Sequence, residues 1–408
     1  MGNEAGDADS IISSLILSYV RNCLNVDSVD GSGEQEIAKV PGNTGVPIVS
    51  INREDMALRR DVIRLLSLLG IDDQNLTYID DDSFRSIVNN RHEDSEKEES
   101  VSFTLVDHNK LRNDLYGLYQ NHVVEILDHH KDEGCHIQSV LDDKRNVAFE
   151  GANALVGSSC TLIVEEIIGS ASVADELVDP GVGLSLLGVI LLDTLNMSTA
   201  AGKGTSRDEA AINFLMEKTN WTSLHADESI RHLIWSDEIG SEPTNDGPDR
   251  EKLFRFLNDA KSDPAFWDDM TGRDALRIDY KRFTSTDGEK VFGLSSVMLS
   301  ISSLLSKKDF EKQVMNYMGE ANIALLGILS MTIVNGTPNR EFLLIGHKTE
   351  VNALTEFFLD PNSSASFLEM SLEKNASFSD DREYNFFKQK NPKGSRKQVA
   401  PVMINYYK

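Results

Sequence analysis

The apolar run Val123-Val124-Glu125-Ile126-Leu127 stops at Asp128-His129-His130. A short β-rich stretch that ends in one carboxylate and two imidazoles puts metal-competent groups on a strand-to-loop edge. Open α/β sheets bind their ligands at such edges. The pattern recurs along the chain. Phe103-Thr104-Leu105-Val106 stops at Asp107-His108-Asn109, and the run from Gly188 to Leu192 delivers Asp193. Asp7 and Asp9 make a fourth acidic site near the start. Three carboxylates that each follow an apolar run read as residues gathered at strand ends of one sheet.

The segments between these runs fit that reading. The spacing from Ile11 to about Leu24 suits a helix, opened by Asp7, Asp9 and Ser10, which favour a helix N-terminus. Val46 to Ile51 reads as a strand with Pro47 near its start. Arg53 to about Leu69 reads as helical, Ile71 to Ile79 holds a short strand, and Ser159 to Ile168 is a helix. The charge run 91–100 reads as a solvated loop. Strands alternating with helical stretches indicate a parallel, doubly wound sheet. Residues 236–250 are polar and rich in Gly and Pro, as a linker is. Beyond them, Val291 to Ser296 and Glu341 to Ile345 read as strands of a second, mixed α/β domain. At 408 residues, two domains are expected.

Composition narrows the classes of function. A net charge of −26 argues against a general nucleic-acid binder, because phosphate backbones would be repelled. Acidic enzymes still handle polyanions when divalent cations invert the local field. Cys23, Cys135 and Cys160 are odd in number and lack a CxxC spacing, which suits a reducing compartment. The first residues carry acids where a secretory signal has bases. No apolar run approaches the roughly 18 residues of a membrane span, and Gly6 stands where a myristoylation signal needs Ser or Thr. A cytoplasmic protein is expected, without membrane or nucleic-acid partners.

Hard divalent cations prefer carboxylate oxygens, and imidazole shifts the preference toward Mn²⁺ or Co²⁺. A pair of such ions held by several carboxylates activates a water and stabilises the oxyanions of an in-line phosphoryl displacement. Near the other end, residues 388–397 carry five basic residues and no acidic one. On composition a solvated tail and an anion-binding segment fit equally well. In the second reading Arg396 makes bidentate phosphate contacts and Lys397 supplies a point charge. Gly157-Ser158-Ser159-Cys160-Thr161 lacks the GxxxxGK[ST] pattern and reads as a helix cap, with Cys160 a small buried residue. His347 can face a cleft or serve structure alone.

This constellation resembles the DHH phosphoesterase superfamily over nearly the whole chain. Gly2-Asn3-Glu4-Ala5-Gly6-Asp7-Ala8-Asp9-Ser10 is similar to the first motif and Leu58-Arg59-Arg60-Asp61 to a second recurring segment. Asp107-His108-Asn109, Asp128-His129-His130 and Leu191-Leu192-Asp193-Thr194-Leu195-Asn196 resemble the later ones. Asp279-Tyr280-Lys281 and Ser395-Arg396-Lys397-Gln398-Val399-Ala400-Pro401 resemble the phosphate-gripping motifs of a DHHA2 domain. The eukaryotic exopolyphosphatase branch matches best, with prune-type proteins and family II inorganic pyrophosphatases as relatives.

The resemblance implies a two-domain α/β protein. A parallel-sheet DHH domain spans residues 1–235, a linker 236–250 and a smaller mixed α/β DHHA2 domain 251–408, with the active site in the cleft between the domains. It implies two or more divalent ions, Mg²⁺ or Mn²⁺. Asn3 and Asp7 would serve one metal, Asp9, His129 and Asp193 the other, and Asp107 would bridge them. Asn3, where family II pyrophosphatases carry histidine, moves the preference toward Mg²⁺. His108, His130, Lys281, Arg396 and Lys397 would bind substrate, with His130, Asp107, Arg396 and Lys397 catalytic and Asp128 a supporting residue.

The implied activity is release of terminal phosphate from inorganic polyphosphate by a monomeric enzyme. Pyrophosphate hydrolysis or a prune-like nucleotide phosphodiesterase is the alternative, and a non-catalytic binding protein is the alternative of another class. The family places a β-strand before the Gly-Asn-Glu motif. Here Met1 directly precedes Gly2, so the expected first domain lacks that strand and positions Asn3 and Asp7 less firmly.

Overall fold

The computed structural model describes residues 1–26, 45–89, 101–170, 177–236, 242–334, 337–378 and 381–407. The charge run 91–100 and part of the expected linker lie outside them. The chain divides into two units, Met1–Lys261 and Ser262–Lys408.

In the first unit, helix α1 (Ala8–Val26) starts where Asp7 Oδ1 accepts the Ser10 N–H at 3.1 Å, the capping expected of an aspartate there. Ile11, Ile12, Leu17 and Val20 bury one side of it, while Ser10, Ser13 and Ser14 are buried as well. Two parallel sheets follow. One pairs β1 (Ile48–Val49) with β2 (Thr77–Tyr78), and α2 (Arg60–Leu68) lies between them in sequence. The other orders β3 (Phe103–Val106), β4 (Val123–Asp128) and β5 (Arg145–Val147) in parallel, so β3 and β4 deliver Asp107 and Asp128 to one edge. Arg53 to Leu69 is a 3₁₀ turn, Arg53–Leu58, followed by α2.

Met1 and Gly2 lie between the two sheets. The Met1 ammonium donates to Thr104 O at 2.9 Å, Val106 N–H donates to Met1 O at 3.0 Å, and Gly2 N–H donates to Ile48 O at 3.5 Å. Ser50 Oγ donates to Gly2 O at 2.6 Å. These bonds set Asn3 at the same sheet edge as Asp107.

One expectation is corrected. Asp193 does not end a strand: it closes helix α5 (Pro180–Asp193). This helix follows a shorter one, α4 (Ser159–Gly169), capped by Ser158, and α3 (Asn113–Tyr119) lies between β3 and β4. Asp179 caps α5, with Pro180 in its first turn, the favoured place for proline. Every residue from Val182 to Leu191 is buried, and such a run lacks the periodicity that separates a core helix from a core strand. The length and the Asp-Pro start decide for helix.

The second unit is built on a six-stranded mixed sheet, ordered β12-β13-β11-β10-β9-β8. Its strands are β8 (Tyr280–Thr284), β9 (Val291–Val297), β10 (Leu325–Val334), β11 (Thr337–His347), β12 (Met370–Ser377) and β13 (Arg382–Gln389). Only β9 and β10 run parallel; β6 (Phe149–Glu150) and β7 (Asn153–Ala154) form a small hairpin in the first unit. Phe292, Phe342, Phe358 and Phe387 centre the core of the second unit. His347 caps the helix Lys348–Leu359 by accepting Thr349 N–H at 3.4 Å. No helix among the described residues is long and apolar enough to cross a membrane.

Candidate metal centre

At the end of β3 the chain turns sharply. Asp107 has a φ of 62°, a left-handed conformation that Asp tolerates better than most side chains. Its N–H still reaches Leu127 O at 2.9 Å, while its carboxylate is turned inward and only 2% of the residue is exposed. Asp107 Oδ1 lies 3.2 Å from His129 Nε2 and 3.6 Å from His130 Nδ1. Asp107, His129 and His130 thus present a group of ligand-type atoms close enough to hold one ion.

Neighbouring residues fix each member. His129 Nδ1–H donates to Val156 O at 3.1 Å, leaving Nε2 for Asp107 and for Asp9 Oδ2 at 3.6 Å. A metal-ligating histidine is typically oriented in this way. Asp128 is fully buried and accepts from Asn109 Nδ2 at 2.6 Å, from the His129 and His130 N–H groups at 2.8 and 3.1 Å, and from His130 Nδ1 at 2.9 Å. Burial alone would raise this carboxyl, but hydrogen bonds and charge from His130 and Asn109 hold it at about 2.

Asp9 sits in the first turn of α1 against the start of α4. It accepts Ser158 Oγ–H at 2.7 Å, Ser159 N–H at 2.7 Å and Cys160 N–H at 3.1 Å, so the N-terminus of α4 stabilises its charge. Cys160 is fully buried, as expected of a small core residue. Asn3 donates through Nδ2 to the Asp107 carboxylate and, at 3.2 Å, to Asp107 O, while its Oδ1 accepts Ala5 N–H at 2.8 Å. The loop between Asn3 and Asp7 is held by buried Arg59, which donates to Gly6 O and Ala5 O at 2.7 Å each. This gives the second recurring segment a physical role that spacing alone did not reveal. His108 turns aside: Nδ1–H donates to Val106 O at 2.9 Å, and burial lowers the imidazole to about 4.

The electrostatics describe a site with surplus negative charge. Burial, followed by the charges of Asp9 and Asp7, pushes Asp107 well above the usual carboxylate range. The same three causes, in the same order, raise Asp193. Burial would lower His129, yet its hydrogen bond to Asp107 and the charges of Asp9 and Asp107 lift it to about 10. Asp193 Oδ2 is buried without a hydrogen-bond partner. A buried, unsatisfied carboxylate oxygen among other carboxylates is costly unless a cation completes it, and an oxygen-rich donor set with one or two imidazoles suits Mg²⁺ or Mn²⁺.

Asp193 is followed by three left-handed residues, Leu195, Asn196 and Met197, with φ of 52°, 51° and 57°. Each costs roughly 1–2 kcal/mol for an L-residue, and strain of this kind concentrates at functional sites. Asn196 N–H to Leu191 O at 2.7 Å and Met197 N–H to Thr194 Oγ at 3.2 Å hold the turn.

The first unit thus gathers Asn3, Asp7, Asp9, Asp107, His129, His130 and Asp193. Lys281, Arg396 and Lys397 belong to the second unit. There Arg396, at the start of the helix Arg396–Tyr406, donates to Asp279 O at 2.7 Å and Asp279 Oδ1 at 2.6 Å. Lys281 lies on edge strand β8 and Lys397 is exposed. The spacing did not single out the loop residues Val156, Ser158 and Ser159 as parts of the site. The Gly-Ser-Ser cap was a visible signal, but it pointed only to a helix start.

A parallel-sheet unit with a carboxylate–imidazole centre and a mixed-sheet unit define a two-domain, metal-competent α/β protein. Comparison with known proteins agrees. Residues 257–406 match the DHHA2 domain. The chain is 27% identical over 308 residues to exopolyphosphatase PRUNE1 of Bos taurus, covering 75% of this chain and 53% of that protein. It is 27% identical over 417 residues to a putative exopolyphosphatase of Schizosaccharomyces pombe, covering 100% and 90%. The chain spans about half the length of the bovine and human PRUNE1 proteins. In fold it is similar to a putative family II inorganic pyrophosphatase of Methanococcus jannaschii, with a TM-score of 0.52, 19% identity and coverage of 98% and 96%. Residues 257–406 thus form a DHHA2 domain, and the chain is similar in sequence to proteins named exopolyphosphatase.

Proposed function

We propose that this chain is a metal-dependent exopolyphosphatase that removes terminal orthophosphate from inorganic polyphosphate. The observation that carries the proposal is the buried Asp107 carboxylate, 3.2 Å from His129 Nε2, in a cluster where Asp193 Oδ2 has no protein partner. Asp7, Asp9, Asp107, His129 and Asp193 would hold the ions, with Asn3 beside them. Bound Mg²⁺ or Mn²⁺ would supply positive charge against phosphate oxygens and acidify the attacking water.

The protein's own groups do the rest. Val156 O sets the His129 ring so that Nε2 faces the carboxylates. Asp128 holds His130 by Nδ1, and His130 would bind a terminal phosphate oxygen through its other ring nitrogen. Arg396, Lys397 and Lys281 would grip the polyanion, with Arg396 exchanging part of its Asp279 contact for phosphate. His108, engaged with Val106 O, would contribute to binding from the edge of the site. The substrate class follows the exopolyphosphatase relatives. A monomeric cytoplasmic protein of two domains completes the proposal, and the three free cysteines agree with a reducing compartment.

The test is a substrate panel: purified chain with Mg²⁺ or Mn²⁺ against polyphosphate of several lengths, pyrophosphate and cyclic nucleotides. Phosphate release from polyphosphate at the highest kcat/KM is expected. A preference for pyrophosphate or a cyclic nucleotide would reassign the substrate, and no turnover of any of them would leave a binding protein.

A further inference from the structure

We propose that Asp208 is a positioning residue for the metal centre, acting through the loop 156–160. The inference rests on the metal-centre reading above. Asp208 lies in helix α6 (Ser206–Lys218), where with Thr205 it forms a capping box. A capping residue needs only its own helix end, but this carboxylate reaches further. It is fully buried, and besides Thr205 N–H and Oγ–H, both at 2.8 Å, it accepts Gly157 N–H at 2.9 and 2.8 Å and Thr161 Oγ–H at 2.6 Å.

Gly157 is the residue between two site contacts. On one side Val156 O orients His129. On the other, Ser158 Oγ and the Ser159 and Cys160 N–H groups clamp Asp9. Gly157 also packs tightly against the residue after Asp193. A Cβ placed there would meet Thr194 Cγ2 at 2.8 Å and Lys203 O at 3.0 Å. One buried carboxylate therefore pins a loop that touches His129 and Asp9 directly and Asp193 through Thr194. Partners of this kind, one step removed from the ligands, typically change metal affinity 10–100-fold when lost.

The test compares Mn²⁺ affinity of the full chain, read from the electron paramagnetic resonance of free Mn²⁺, in the parent, Asp208→Ala, Asp208→Asn and Asp227→Ala. Asp227 caps the helix Glu228–Ile234 through Ser229 and serves as a stability control. Asp208→Ala should bind Mn²⁺ about 10–100-fold more weakly, Asp208→Asn should recover part of the loss with its remaining oxygen, and Asp227→Ala should bind like the parent. Folded Asp208→Ala with parental affinity overturns the inference. If Asp208→Ala does not fold, parental affinity in Asp208→Asn overturns it equally. A parent chain that binds no Mn²⁺ removes the metal-centre reading and this inference together, an outcome distinct from an unaffected Asp208 variant.

Discussion

Asp107 Oδ1 and His129 Nε2 face each other at 3.2 Å in a site from which most water is excluded. Burial and neighbouring carboxylates favour a neutral Asp107, and the same carboxylates favour a protonated His129. Both tendencies mean that the cluster holds protons in the absence of metal. A cation must displace them, so protons and metal compete for the same atoms.

Metal affinity should therefore rise with pH. In the metal-free chain His129 keeps its proton up to about 10, so between pH 7 and 9 the apparent Mn²⁺ affinity should increase by up to about 10-fold per pH unit. Calorimetry in buffers of different ionisation enthalpy should show protons released on binding. The sign for stability is opposite. The folded value lies above the ordinary 6.5, so His129 stabilises the metal-free chain below that pH, and the contribution is lost as pH rises toward 10. Urea midpoints in EDTA should fall across that window.

Asp193→Asn should stabilise the metal-free chain while weakening metal binding. Its carboxyl is raised by burial and by Asp9 and Asp7, so the charged form costs free energy that an amide avoids. One pKa unit corresponds to about 1.4 kcal/mol, and a domain of this size moves about 2–4 °C per kcal/mol. A rise in Tm in EDTA, reversed in excess Mn²⁺, is expected from calorimetric scans.

Gly6→Ala should loosen the first loop. Gly6 has a φ of +55°, and a Cβ there would lie 2.4 Å from Ile51 Cγ2. Conformation and collision together should cost more than about 1 kcal/mol, measured by urea unfolding. Mn²⁺ affinity should fall as well, because the loop carries Asn3 and Asp7. Arg59→Met should act in the same direction by leaving two buried carbonyls unpaired, at about 1–3 kcal/mol each.

Arg396→Lys is not a conservative change at a forked contact. It should raise the KM for polyphosphate about 10-fold or more, with a smaller effect on Mn²⁺ affinity. Steady-state kinetics and metal titration on the same preparation check both.

Much of this organisation was legible in the sequence because β3 and β4 end in Asp107 and Asp128, and a strand that stops at a charged residue announces a sheet edge. Asp193 was legible as a chemical group but not as a helix end, since a fully buried run has no polar face to show its period. The supporting contacts were hidden for another reason. Val156 acts through a carbonyl, Ser159 through an N–H, and backbone groups leave no trace in side-chain identity. Arg59 and Asp208 carry recognisable side chains, but their partners lie 53 and 51 residues away, beyond the reach of spacing arguments.

The most direct measurement is orthophosphate release from polyphosphate as a function of Mn²⁺, for the parent chain and Asp107→Asn. The parent should show activity that saturates with Mn²⁺ and vanishes in EDTA. Asp107→Asn should lose more than about 100-fold, since supporting partners alone account for 10–100-fold. Equal activity in parent and Asp107→Asn, or activity untouched by EDTA, would contradict the assignment of this cluster as the metal centre that carries the reaction.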